Sequence, residues 1–219
     1  MNKQIKLAGI IGVLGALIMF AGDMLLYFTT EPISNFEEEL VNVMGGISES
    51  RLFLGGILGP FAACMYVFGF YQVYLAIKPT YKKLARIVFG ILSVGIVFGG
   101  AFHSHFTFLG IMSSQGHTQA LEISEGYSIL TFSIMFIPGT IAYITLAYLI
   151  LTNKTYYSKW MVLFSPIVLF WFSGLMELLP QPFMMIFAGG WSNIVFIIFF
   201  SVSSYHLLKH KRYEEVEQD

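Results

Sequence analysis

The chain has 219 residues, of which 56% are hydrophobic and 11% charged, and its formal net charge is −1. A soluble domain carries about 25% charged residues, so this composition excludes an ordinary soluble protein. The few cations flank apolar runs, which leaves no basis for nucleic-acid binding. The one cysteine, Cys64, excludes an intramolecular disulfide, and no Cys or His spacing suits a zinc finger.

The apolar residues come in runs, several longer than the ~20 residues that cross a hydrocarbon core. The reading is an all-α polytopic membrane protein: a single domain of six transmembrane helices in one bundle, at about 7–28, 51–77, 84–112, 127–151, 159–180 and 183–208. The first span is too long for the h-region of a signal peptide and carries Asp23 near its end, so it is kept as a span. In the loop that follows, "SNFE" forms a capping box, with Ser34 accepting from the Glu37 N–H and Glu37 reaching back. Phe36, Leu40 and Val43 follow at helical spacing and predict a short amphipathic helix over 35–44 on the outer face, with a hinge at Gly45–Gly46. Two roles fit it: a solvated loop held outside by its acids, or a lid over a pocket.

Span two opens at Arg51 and carries Gly55, Gly59 and Ala63 on one stripe. Span three contains "GGAFHSHFTFLG", with His103 four residues after Gly99 and eight after Gly95. That spacing places His103 on a small-residue face, where helices approach closely. His105 lies about 200° around the helix from His103, so the two cannot share one small ligand. Span five carries Ser173 and Glu177, and the prolines of "LLPQPF" turn the chain into span six, which carries Asn193 and His206.

Alternating sides from a cytoplasmic N-terminus puts every Lys and Arg except Arg51 inside, together with the C-terminus. The acids of the loops 29–50 and 113–126 then lie outside. This is a strong positive-inside signal, and the expected location is a plasma membrane of the bacterial type.

Ionisable groups within lipid are costly and usually pair or function. At 1.5 Å per residue, Asp23, His103, Glu177 and Asn193 all lie ~21–25 Å from the inner end of their helices. The constellation predicts an outward-facing polar site in the outer half of the bilayer. As a catalytic site, His103 is the general base, Asp23 orients it and Glu177 is a second acid. As a metal site, Asp23, His103 and Glu177 suit a divalent ion with open positions. Arg51, Asn193, His105 and Ser173 are the candidate ligand-binding residues. Three function classes fit: an intramembrane enzyme acting on a lipid or other amphiphile, an ion-coupled transporter or ligand-binding protein, and a structural or assembly partner. The expected partners are membrane lipid and a small amphiphilic ligand.

Overall fold

The computed structural model describes residues 2–216, with side chains except those of Glu37 and 210–216. Long helices dominate: α1 (Asn2–Tyr27), α3 (Glu49–Ala76), α4 (Lys82–Ser114), α5 (Thr118–Leu151) and α8 (Phe183–Val216), with a short α2 (Phe36–Gly45) between α1 and α3. Among the described residues, five helices are long and apolar enough to cross a membrane. They lie within Asn2–Tyr27, Glu49–Ala76, Pro79–Ser114, Thr118–Leu151 and Phe183–Lys209.

The predicted span at 159–180 is not one helix. It is a 3₁₀ turn at Lys159–Phe164, α6 (Pro166–Leu169), a second 3₁₀ turn at Phe170–Phe172 and α7 (Ser173–Met176). The first break has a local cause. Ser165 precedes Pro166 and adopts φ −71°, ψ 147°, the extended conformation that the proline ring imposes on its predecessor. The broken segment still runs the length of α8 in the opposite direction. Ser158 at its start meets His206, the Leu169 carbonyl accepts from Trp191 Nε1 at 3.1 Å, and a turn through a cis Gln181–Pro182 bond enters α8.

α8 is antiparallel to α1. Tyr27, at the end of α1, donates its hydroxyl to the Gly189 carbonyl at 2.9 Å, while Gly9, near the start of α1, faces Ser204. Glycines set these approaches. A Cβ on Gly12 would come 2.9 Å from the Gly69 Cα of α3, and one on Gly100 would come 2.8 Å from the Ala63 Cβ. In lipid, where hydrophobicity does not separate a helix from the tails around it, such backbone proximity supplies the packing.

One expectation about the loops shifts. The loop predicted at 113–126 shrinks to Gln115–His117, because α5 already starts at Thr118 and carries Glu122 and Glu125. Gly116, at φ +69°, ends α4 in the left-handed conformation usual after a helix. In the first loop Asn35 Oδ1 accepts from the Glu38 N–H at 3.2 Å, and the Glu39 carboxylate reaches back to the Ser34 N–H at 2.6 Å. The capping box expected from the sequence runs through Glu37. The Glu37 side chain itself lies outside those described. Phe36, Leu40 and Val43 pack on a cluster of Leu26, Tyr27, Met44, Leu52, Leu109 and Met185, so α2 seals one end of the bundle. Gly45 marks a close approach to α4, since a Cβ there would meet Ser113 Oγ at 2.5 Å.

Candidate functional site

At the level of the last turns of α1, four helices bring polar side chains together. Gly22 of α1 and Gly59 of α3 leave room for an imidazole between the helices, and His103 of α4 fills it. His103 shares its face with Gly100 and Thr107, which also lie against α3. The Gly95–Gly99 stripe turns instead toward Met135 of α5. His103 Nε2 donates to the Gly55 carbonyl at 3.1 Å, and Thr107 Oγ1 donates to the Leu52 carbonyl at 2.9 Å. Both acceptors lie within α3 just before Pro60, whose missing N–H would have served the adjacent Gly56 carbonyl.

The other ring nitrogen, His103 Nδ1, lies 3.2 Å from Asp23 Oδ1, and the two residues are 5% and 7% exposed. Asp23 Oδ2 accepts from Asn193 Nδ2 at 2.6 Å, and Asn193 Oδ1 accepts from the Tyr66 hydroxyl at 2.6 Å. Tyr66 is fully buried. The result is a chain from α3 through α8 and α1 to α4 and back to α3: Tyr66, Asn193, Asp23, His103 and the Gly55 carbonyl.

This wiring fixes a proton. Nε2 carries a hydrogen, because a carbonyl can only accept. The 3.2 Å line between Nδ1 and Oδ1 then needs one more, either on the ring as imidazolium against carboxylate or on the acid as a donor to neutral imidazole. With neither, two lone pairs face each other in a buried site, and the contact between α1 and α4 becomes repulsive.

The remaining candidates fall elsewhere. Arg51 does not join Asp23: its Nη2 donates to the Met24 and Phe28 carbonyls at 3.0 and 3.1 Å and caps the end of α1. His105 Nε2 donates to the Ser124 carbonyl of α5 at 3.2 Å and ties those two helices. Ser173 and Glu177 are exposed on the broken segment. The expected trio of Asp23, His103 and Glu177 is therefore not assembled. Among the described residues no group of three or more His, Cys, Asp or Glu is placed to hold a metal ion. Glu177 follows the breaks before and within 166–176 and is exposed, whereas Asp23 and His103 are buried between helices.

Sequence reasoning missed Tyr66, which reads as an interfacial aromatic. A signal was present: Tyr66 follows Gly55 by eleven residues and Gly59 by seven, which puts it on the same face of α3. A second buried polar layer was also missed. Gln72 is fully buried, its Nε2 donating to Ser204 Oγ at 2.6 Å and its Oε1 accepting from Ser203 Oγ at 2.8 Å. Tyr157 in turn donates to Ser203 at 2.6 Å.

Fold and site together define a helical multi-pass integral membrane protein with an Asp–His pair buried in its core. Residues 1–210 match the family of unknown function DUF6796, and the chain belongs to that family. No curated protein and no solved structure matches the chain.

Proposed function

We propose that this chain is a proton-coupled membrane protein of the carrier or ligand-binding class, in which the Asp23–His103 pair couples proton occupancy to the packing of α1 against α4. One observation carries this reading: the 3.2 Å contact between Nδ1 and Oδ1, with Nε2 already committed to the Gly55 carbonyl. The contact holds with one proton on that line and fails without it. Intramembrane His and Asp groups serve as proton relays in pumps and transporters. A proton that decides whether two helices touch is the kind of bistable element such a protein needs. The positive-inside bias of the sequence supports a setting for the pair in the outer half of a plasma membrane, beneath α2, with both termini cytoplasmic. A small amphiphile and the surrounding lipid are the partners that this setting offers.

The pair also meets the first requirement of the enzyme reading, a carboxylate-oriented imidazole. The coupled reading is preferred because both ring nitrogens and both carboxylate oxygens are engaged by the protein itself, and Glu177 supplies no second acid.

The test is a distance. Spin labels at Thr30 and Ser114, both exposed, would report the separation of α1 from α4 in nanodiscs, in a Cys64→Ser background. The separation should grow as rising pH removes the shared proton, and Asp23→Asn should abolish that response. The carboxylate contacts His103 and Asn193; the Tyr66 hydroxyl is one hydrogen bond further along the chain and the Tyr27 hydroxyl, bonded to the Gly189 carbonyl, is within electrostatic reach, with no Lys or Arg in an ion pair to it among the described residues. A separation that stays constant over the pH range in which the protein remains folded would refute the reading.

A further inference from the structure

Two polar layers lie one above the other on the same helices. The first holds Tyr66 of α3 and Asn193 of α8; the second holds Gln72 of α3 with Ser203 and Ser204 of α8. Six residues separate Tyr66 from Gln72, or ~9 Å of helix, and ten separate Asn193 from Ser203, or ~15 Å. The space between is filled by Phe70, Phe196 and Phe200, whose centroids are 5.7–5.8 Å apart. Phe70 and Phe200 are fully buried, and Tyr66 rests on all three rings.

Phe200 has an unusual seat. It lies on the two glycines where α1 and α3 touch: a Cβ on Gly12 would be 2.9 Å from its ring and one on Gly69 2.8 Å. At these two positions neither helix offers a side chain to interlock with the ring, so it rests against bare backbone. Below this layer Gln72 joins three helices, its Nε2 also donating to the Ile5 carbonyl of α1 at 3.4 Å, and buried polar groups of this kind both hold membrane helices together and line ion paths. The second layer also reaches the end of the bundle where α1 begins, through Tyr157 in the segment between α5 and α6.

We infer that the Phe70–Phe196–Phe200 layer is the closed gate of a proton path, with the Asp23–His103 pair as its outer station and the Gln72–Ser203–Tyr157 layer as its inner one. This rests on the proton-coupled reading above. When the rings part, water enters between the layers. The proton on the Nδ1–Oδ1 line passes to that water, and water hands it on past the hydroxyls of Ser203 and Tyr157 to the inner side. No bond other than O–H and N–H forms or breaks. With the rings together the layer is dry and the path is shut.

The test uses the full-length protein in liposomes of neutral lipid with a trapped pH-sensitive dye, driven by a potassium diffusion potential. Trimming the gate with Phe196→Ala and Phe200→Ala should raise proton flux about tenfold over the parent, the change that about 1.4 kcal/mol off the barrier produces. Adding Asp23→Asn to the trimmed protein should return flux to the parent level. A trimmed protein that is folded by thermal unfolding yet leaks no more than the parent would overturn the gate. A raised flux that Asp23→Asn leaves untouched would overturn the assignment of the outer station, and with it the coupled reading, while keeping the slab as a barrier. Should the alanine pair not assemble, Phe200→Ala alone trims the ring that seats on Gly12 and Gly69 and is judged by the same flux criteria.

Discussion

The His103 ring lies against Gly59 so closely that a Cβ there would sit 2.5 Å from its Cδ2 and 2.9 Å from its Cβ. The His103 Cβ is fixed to α4 and cannot swing away, so an added methyl must push two helices apart. Gly59→Ala should therefore destabilise the protein by about 1–3 kcal/mol, the range for overpacking a filled core. The helix-propensity gain of alanine over glycine, roughly 0.5–1 kcal/mol, is too small to reverse the sign. Gly90 is the control: a Cβ added there would meet nothing within 4 Å, so Gly90→Ala should be neutral or slightly stabilising. Thermal unfolding in detergent compares the two.

Asp23 anchors two neighbours, so its substitutions should separate by shape and charge. Asp23→Ala leaves Asn193 Nδ2 and His103 Nδ1 facing a void and should cost about 3–5 kcal/mol, as expected when one partner of a buried pair is removed. Asp23→Asn keeps the shape and a hydrogen bond to the imidazole, and should cost much less. At the far end of the chain, Tyr66→Phe removes one hydroxyl and should cost about 1 kcal/mol, since single hydrogen bonds between membrane helices are worth little. Because Tyr66 acts through Asn193, Tyr66→Phe should lose most of its effect in an Asn193→Ala background. Additive losses in that double-mutant cycle would show that the two do not form one network.

How much of this was legible follows from what each signal measures. Hydropathy and length report burial in lipid, so α1, α3, α4, α5 and α8 stand out from their apolar runs. Counting residues along a regular helix reports depth, and it brought Asp23, His103 and Asn193 to one level because α1, α4 and α8 are continuous there. For Glu177 the same reasoning missed the facing: it assumed a regular helix through Ser165–Pro166 and two 3₁₀ turns, where the turn per residue changes, and Glu177 is exposed. Facing was half legible. Helical spacing turned His103 toward a neighbour, but the identity of that neighbour depended on tertiary packing, which sent Gly95 and Gly99 to α5 and His103 to α3. Tyr66 and Gln72 were overlooked for another reason: a tyrosine or glutamine near the end of a span reads as interfacial until the tilt of its helix is known.

Outside the membrane-spanning helices, Glu39 makes the start of α2 sensitive to acid. Its carboxylate accepts from the Ser34 hydroxyl at 2.7 Å and from the N–H groups of Ser34 and Asn35 at 2.6 and 3.1 Å. The Ser34 hydroxyl first, then those backbone donors, hold it below its ordinary value of 4.5. A carboxylate depressed in the folded state adds stability that is fully present above its unfolded value and is lost as pH falls through the folded one. Amide-exchange protection over 35–40 should therefore be constant at neutral pH and decline below about pH 4.5. Glu39→Gln should give low protection across the whole range. Protection in the parent that is flat down to the acid unfolding of the bundle would mean the α2 cap does not depend on this carboxylate.

The broken segment poses the sharpest topological question, and the helix directions answer it in a testable way. Alternating crossings by α1, α3, α4, α5 and α8 alone would make α8 parallel to α1. Yet the Tyr27–Gly189 and Gly9–Ser204 contacts make them antiparallel. The chain between α5 and α8 must therefore cover the height of the bundle, and Ser158 beside His206 and Leu169 beside Trp191 mark its course. If the long helices cross the membrane, the 3₁₀ turns, α6 and α7 together make a further crossing, and Glu177 belongs at the same side as α2. Single cysteines at positions 38, 154 and 177 in a Cys64→Ser background test this in intact cells with a membrane-impermeant thiol reagent. Positions 38 and 177 should label from outside, and position 154 only after the membrane is opened. Labelling of 177 together with 154 rather than with 38 would mean that the segment returns to the side it left. Labelling of 154 from outside would invert the whole arrangement and move the Asp23–His103 pair to the inner half of the bilayer.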